Sequence, residues 1–136
     1  MSPEGFEHVA YHKVLETDYA LFELEEMRRP CDGATMLLIH ARMARWSPQI
    51  FKDTLKHWHA LREVIPQDIF ASPQVHDAKW EKFVTAFGFV PLIAAAPCND
   101  GQTRPIWIHY GKLNHYPAAE FDHAVGPTGG CTADGL

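Results

Sequence analysis

Cysteine is scarce in this chain. Cys31, Cys98 and Cys131 are the only three in 136 residues, and none stands in a Cys-x-x-Cys pair. That excludes a disulfide framework and a zinc ribbon, and it predicts free thiols in a reducing compartment. Positive charge is also short. Twelve Lys and Arg against seventeen Asp and Glu leave a net charge of −5. Nucleic-acid binders need cations for phosphate, so this balance argues against a nucleic-acid partner. No long apolar run exists. The longest is Phe89 to Ala96, broken by Pro91, whereas a helix needs about 20 apolar residues to cross a bilayer. The opening stretch, Met1 to Glu7, carries acids where an export signal needs bases. No membrane association and a cytoplasmic location are therefore expected. His-Glu-x-x-His, P-loop and Gly-x-Ser-x-Gly patterns are absent. Glycine is missing altogether between Gly33 and Gly88.

What is present describes one ordinary domain. Hydrophobic residues make up 46% and charged residues 21%, enough apolar content for a packed core at this length. Charge is unevenly spread. Residues 1–36 carry eight acids and three bases, while residues 37–65 carry five bases (Arg42, Arg45, Lys52, Lys56, Arg62) and two acids.

The run Met36-Leu37-Leu38-Ile39 within Thr35–Met43 predicts a central strand buried on both faces. Ser47-Pro48 then offers an N-cap and a residue pre-shaped for the first helical turn. Phe51, Leu55, Trp58, Leu61 and Ile65 form one helical stripe ending at Pro66. Asp68 to Ser72 reads as a short strand. Asp77 caps a second helix with the stripe Trp80, Phe83, Val84 and Phe87, and Gly88 sits where a left-handed residue ends a helix. Phe89 to Ala96 and Arg104 to Tyr110 read as strands joined through Asn99-Asp100-Gly101. Ile106, Ile108 and Tyr110 fall on one face of the last strand, Trp107 and His109 on the other. Phe6–Leu15 and Tyr19–Met27 are read as two outer strands. The fold expected is α+β: a mixed sheet of five or six strands with two main helices. Residues 1–116 form the domain, and residues 117–136 form a Gly/Pro-rich tail.

The order strand, capped helix, strand, helix ending in Gly-Phe, hairpin resembles the C-terminal two-thirds of the GNAT family of N-acetyltransferases. The likeness covers roughly residues 34–111 and is sharpest from Asp77 to Phe89. It implies an acetyltransferase-like sheet that is abbreviated at its N-terminus. The chain's length, its Trp46-Ser47-Pro48 step and its short N-terminal region also resemble small acetyltransferase-like, virion-associated proteins of short-tailed phages. The family holds the pyrophosphate of acetyl-CoA in a glycine-containing loop, because glycine lets backbone N–H groups approach the phosphates. The corresponding stretch here, Arg42 to Pro48, has no glycine. Many members also place a tyrosine, as general acid, where this chain has Val84.

These departures favour a non-enzymatic accessory or structural protein with no catalytic residues and no cofactor, acting on a protein partner or on another copy of itself. The alternative is a divergent acetyl-CoA-dependent N-acyltransferase. There Arg45, Ser47 and Gln49 would hold the cofactor, and Glu23, Glu25 and Asp68 are the candidate carboxylates. A third reading is an acidic decoy for a nucleic-acid-binding protein, marked by steep salt sensitivity. Arg42, Arg45 and Lys52 form a candidate anion site near a helix start. Trp46, Trp107 and His109 are candidate interface residues. His8 and His12 have metal-compatible spacing only on a helix, and no metal site is expected. Cys98, beside the turn, is weighed as an exposed thiol with a chance base nearby. Nine histidines would carry the formal charge from −5 to +4 on full protonation.

Overall fold

The computed structural model describes residues 3–73 and 76–112. Eight elements follow in order: β1 (Glu7–Glu16), β2 (Ala20–Arg28), β3 (Thr35–Met43), α1 (Pro48–Val64), β4 (Ile69–Ala71), α2 (Ala78–Ala86), β5 (Val90–Pro97) and β6 (Thr103–His109). The strands form one mixed sheet in the order β1-β2-β3-β4-β6-β5. The α+β class, the six strands and the two helices are those read from the sequence. The expected tail, residues 117–136, lies outside the described residues.

Local chemistry accounts for the element ends. Ser47 accepts a hydrogen bond from the Ile50 N–H at 3.1 Å, and Pro48 fills the first position of α1. Asp77 accepts from the Trp80 N–H at 2.8 Å and so starts α2. Gly88 ends that helix at φ +95°, a backbone angle that L side chains avoid. The two outer strands pair as a long hairpin, β1 with β2, and β2 continues antiparallel to β3. α1 then crosses over so that β4 runs parallel to β3. β6 inserts antiparallel between β4 and β5.

The sheet has two unlike faces. Both helices pack on one. There Trp58 of α1 and Val84 of α2 meet Phe22, Leu24, Ile69, Ala71 and Trp107 in a single cluster. The second cluster, on the other face, is built from strand residues and Phe6: Met27, Met36, Leu38, Phe70, Ile106 and Ile108 are all nearly inaccessible. Trp58 is the pivot of the helical side. It is 1% exposed, its indole N–H donates to the Phe87 carbonyl at 3.1 Å, and it stacks on Phe89. Beside it, buried Arg62 donates to His109 Nδ1 at 3.0 Å and to the Ile65 carbonyl at 3.0 Å, tying the end of α1 to β6.

Several expectations are corrected. Trp107 does not face a partner. It is buried against the Trp80 ring at 5.6 Å, because α2 covers the helical face of β6. His109 is turned inward by the same alternation and packs between Trp58 and Phe89. Cys98 is buried rather than exposed. Cys31 is disulfide-bonded rather than free. No helix among the described residues is long and apolar enough to cross a membrane.

Candidate functional site

β3 and β4 are parallel neighbours that meet at one position, Leu38 opposite Phe70. β3 is nine residues long and β4 only three. Beyond that contact the two strands separate. A cleft of about 970 Å³ opens beyond their carboxyl ends, between Ile39–Met43 on one side and Ala71–Pro73 on the other. Open α/β sheets bind ligands in crevices at such a place. The helices supply its apolar wall through Trp58, Phe83, Phe87 and Trp80. Tyr11, Glu23, His40 and Arg42 supply polar edges from β1, β2 and β3, and Asp77 and Lys79 face them from the start of α2.

The sequence-nominated anion site is only partly assembled. Arg42, Arg45 and Lys52 are all exposed, and of the three only Arg42 lines the cleft. The first turn of α1 has little to offer a phosphate. Pro48 has no N–H, the Ile50 N–H is held by Ser47, and the Gln49 side chain donates to Asp53 at 3.2 Å. Above it, Trp46 reaches from the β3–α1 connection to α2. Its ring centroid lies 5.6 Å from Phe51 and 5.7 Å from Phe83. Trp46 is 52% exposed but forms the roof of an aromatic stack that continues through Phe83 and Phe87. This junction does not fit the pyrophosphate of acetyl-CoA. It lacks the close-approach glycine, presents the single backbone N–H of Gln49 unclaimed in its first turn, and carries an indole across the route between α1 and α2.

A second feature joins the nominated carboxylate Glu25 to two histidines, a meeting that the sequence does not disclose. Glu25 of β2 is 8% exposed and accepts from His8 Nδ1 at 2.8 Å and from His40 Nε2 at 2.9 Å. Burial alone would raise its carboxyl pKa. The hydrogen bonds from His40 and His8 outweigh burial and hold it below its ordinary value. An ionised carboxylate is acceptor-only, so His40 donates through Nε2, and its Nδ1 takes no part in the Glu25 contact. Tyr11 lies between the two imidazoles, 4.5 Å from His8 and 5.9 Å from His40. The unit joins three strands and touches the cleft through His40 and Tyr11.

The other nominated groups disperse. Glu23 lines the cleft beside His40, whereas Asp68 accepts from the Gly111 N–H at 2.7 Å and does not line it. His12, on a strand rather than a helix, pairs with Glu26 at 3.0 Å. Among the described residues no group of His, Cys, Asp and Glu is placed to hold a metal.

No protein-family model matches the chain, and no curated protein matches it. Among solved structures, an N-acetyltransferase from Staphylococcus aureus Mu50 is similar at 19% sequence identity and a TM-score of 0.48. The alignment covers 73% of this chain and 64% of that one, so the chain spans less than two-thirds of that protein's length. No residue role is transferred from it.

Proposed function

We propose that this chain is a non-enzymatic accessory or structural protein on an acetyltransferase-type scaffold, acting through protein–protein contacts. One observation carries the reading: the β3–α1 junction is closed against a phosphate group. Ser47 and Pro48 leave the Gln49 N–H as the one unclaimed donor of the first turn, and Trp46 bridges from the β3–α1 connection to Phe83. Val84, buried where a proton donor would be needed, supports the same conclusion. The likeness in length and in the Trp46-Ser47-Pro48 step supports a setting in a short-tailed phage particle or its host's cytoplasm.

A second reading is favoured by the Glu25–His40 pair. A histidine held by a carboxylate through Nε2 at the edge of an apolar cleft is an arrangement suited to taking a proton from a bound amine. That supports a divergent N-acyltransferase whose donor is held by means other than the α1 N-terminus.

Thermal unfolding with acetyl-CoA and with free CoA separates the two. A ligand at 100 times its dissociation constant stabilises a native state by about 2.7 kcal/mol, which moves Tm by several degrees in a domain of this size. The expected result is a shift under about 1 °C at millimolar ligand, against those several degrees. A shift of several degrees, with acetyl transfer to an amine that His40→Gln abolishes, overturns the non-enzymatic reading and establishes the second.

A further inference from the structure

We propose that the gap between β3 and β4 receives an extended peptide segment of a protein partner, inserted as an extra strand, with apolar side chains flanking one central basic side chain. This rests on the reading that the cleft does not serve an acyl donor, and it names what occupies the cleft instead.

The first argument is an open strand edge. Ile39 to Met43 pair with β2 on one side, at Leu24, Glu23, Phe22, Leu21 and Ala20. On the other side strand pairing ends at Leu38–Phe70. Among the described residues nothing continues the ladder there. An unpaired edge presents a row of N–H and C=O groups that an extended backbone satisfies. Across the cleft stand Ala71, the last residue of β4, and the Ser72–Pro73 step, so the ladder for an inserted segment comes from β3.

The second argument is the period of two. Side chains of an inserted strand alternate between the faces of the sheet. On the helical face the half-buried rings of Phe83 and Trp80 line the cleft over the buried Trp58 and Phe87, and suit an aromatic or large aliphatic side chain. On the other face it offers Glu23, His40 and Tyr11.

The third argument is charge. The neighbouring acids are engaged: Glu25 with His8 and His40, Glu26 with His12, and Glu16 with Lys13. Glu23 has no ion pair among the described residues, since Lys13, its cross-strand neighbour, turns to Glu16. Tyr11, 57% exposed, adds a further aromatic ring to the same polar edge. Arg42, two residues beyond His40, repels a second cation. The segment therefore carries one basic residue beside His40, on the face that bears Glu23, flanked by apolar residues.

The test uses the full isotope-labelled chain and the pentapeptide Thr-Phe-Lys-Phe-Thr, acetylated and amidated at its ends. The expected result is saturable NMR shift changes centred on the amides of Ile39 to Met43, with slowed hydrogen exchange there. N-methylation of the two Phe amides should weaken binding at least tenfold, because it removes strand donors. Glu23→Gln, a partly exposed change that leaves the core intact, should weaken it about threefold, as should Lys→Glu in the peptide or more. Silence at millimolar peptide overturns the inference, and so do changes confined to the outer edges at β1 or β5, or equal binding of the N-methylated peptide. The acetyl-CoA melt on the same sample separates the two levels. Peptide silence with no acetyl-CoA shift removes this inference alone. An acetyl-CoA shift removes the reading it rests on.

Discussion

Acid should unfold this protein partly through one imidazole. His109 Nδ1 accepts from Arg62 Nε at 3.0 Å, and its ring is packed against Trp58 at 5.1 Å. A proton on Nδ1 would break that hydrogen bond and set two cations side by side. Burial first, then the charge of Arg62 and the neighbouring His59, push the His109 pKa down from 6.5 to about 4. The native chain therefore refuses a proton that the unfolded chain accepts. Stability is unaffected above about pH 6.5, falls as pH drops from there toward 4, and levels off below. A gap between 6.5 and about 4 has a ceiling of about 3 kcal/mol. His109 is only partly buried, and solvent screening brings the working value to about 2 kcal/mol. The control is His109→Asn, whose side-chain oxygen still accepts from Arg62 but does not titrate. It should be less stable at pH 7 by about 1–2 kcal/mol through lost ring packing. Urea unfolding of both proteins at pH 7.0, 5.5 and 4.5 gives the answer. The wild-type advantage should shrink by about 2 kcal/mol between the extremes, a relative midpoint change on the order of 1 M. Glu25, whose lowered pKa keeps its contribution intact above about pH 4.5 and loses it below, titrates in both proteins and cancels in the difference. Parallel pH curves for the two proteins would show that His109 takes up its proton normally, and the account of the Arg62 contact would be wrong.

Two further outcomes test the packing that shapes the cleft. Trp58→Phe removes the donor to the Phe87 carbonyl and part of the ring stacked on Phe89, which should cost about 2–4 kcal/mol in chemical denaturation; a cost under about 0.5 kcal/mol would mean water replaces the lost donor. Gly111→Ala places a methyl group inside the backbone of Pro66 and Gln67, and should cost more than about 3 kcal/mol or abolish folding. Gly101→Ala, with open space but φ +83°, should cost only about 1–2 kcal/mol. Comparable melting temperatures for the two alanine variants would refute the claim that the chain crosses itself tightly after β6.

The features that sequence alone disclosed are those set within a few residues. Ser47-Pro48 starts α1 and Asp77 starts α2 by contacts spanning three residues, and the stripe from Phe51 to Ile65 needs no knowledge of its partner. The same locality made the glycine-free β3–α1 connection readable, since a missing glycine is a local fact. The face of β6 was assigned correctly by alternation, but alternation cannot say that α2 covers it. Trp107 and His109 were therefore placed on a surface that Trp80 and Trp58 occupy. Composition lists Arg62 simply as one of five bases in the middle segment, yet it is buried because β6 lies under the end of α1. The Glu25 unit was furthest out of reach. His8, Glu25 and His40 lie 17 and 15 positions apart in the chain. They meet only because the β1–β2 register shifts between His8 and Ala10 and because β2 and β3 pair through nine successive positions. A one-residue slip of β3 against β2 would turn His40 to the helical face and leave a buried carboxylate short of one donor. The hydrogen bonds that fix the polar edge of the cleft therefore also help fix the register of the strands that form it. For that reason the Glu25 unit stands as a structural necessity whether or not His40 ever takes a proton from a substrate.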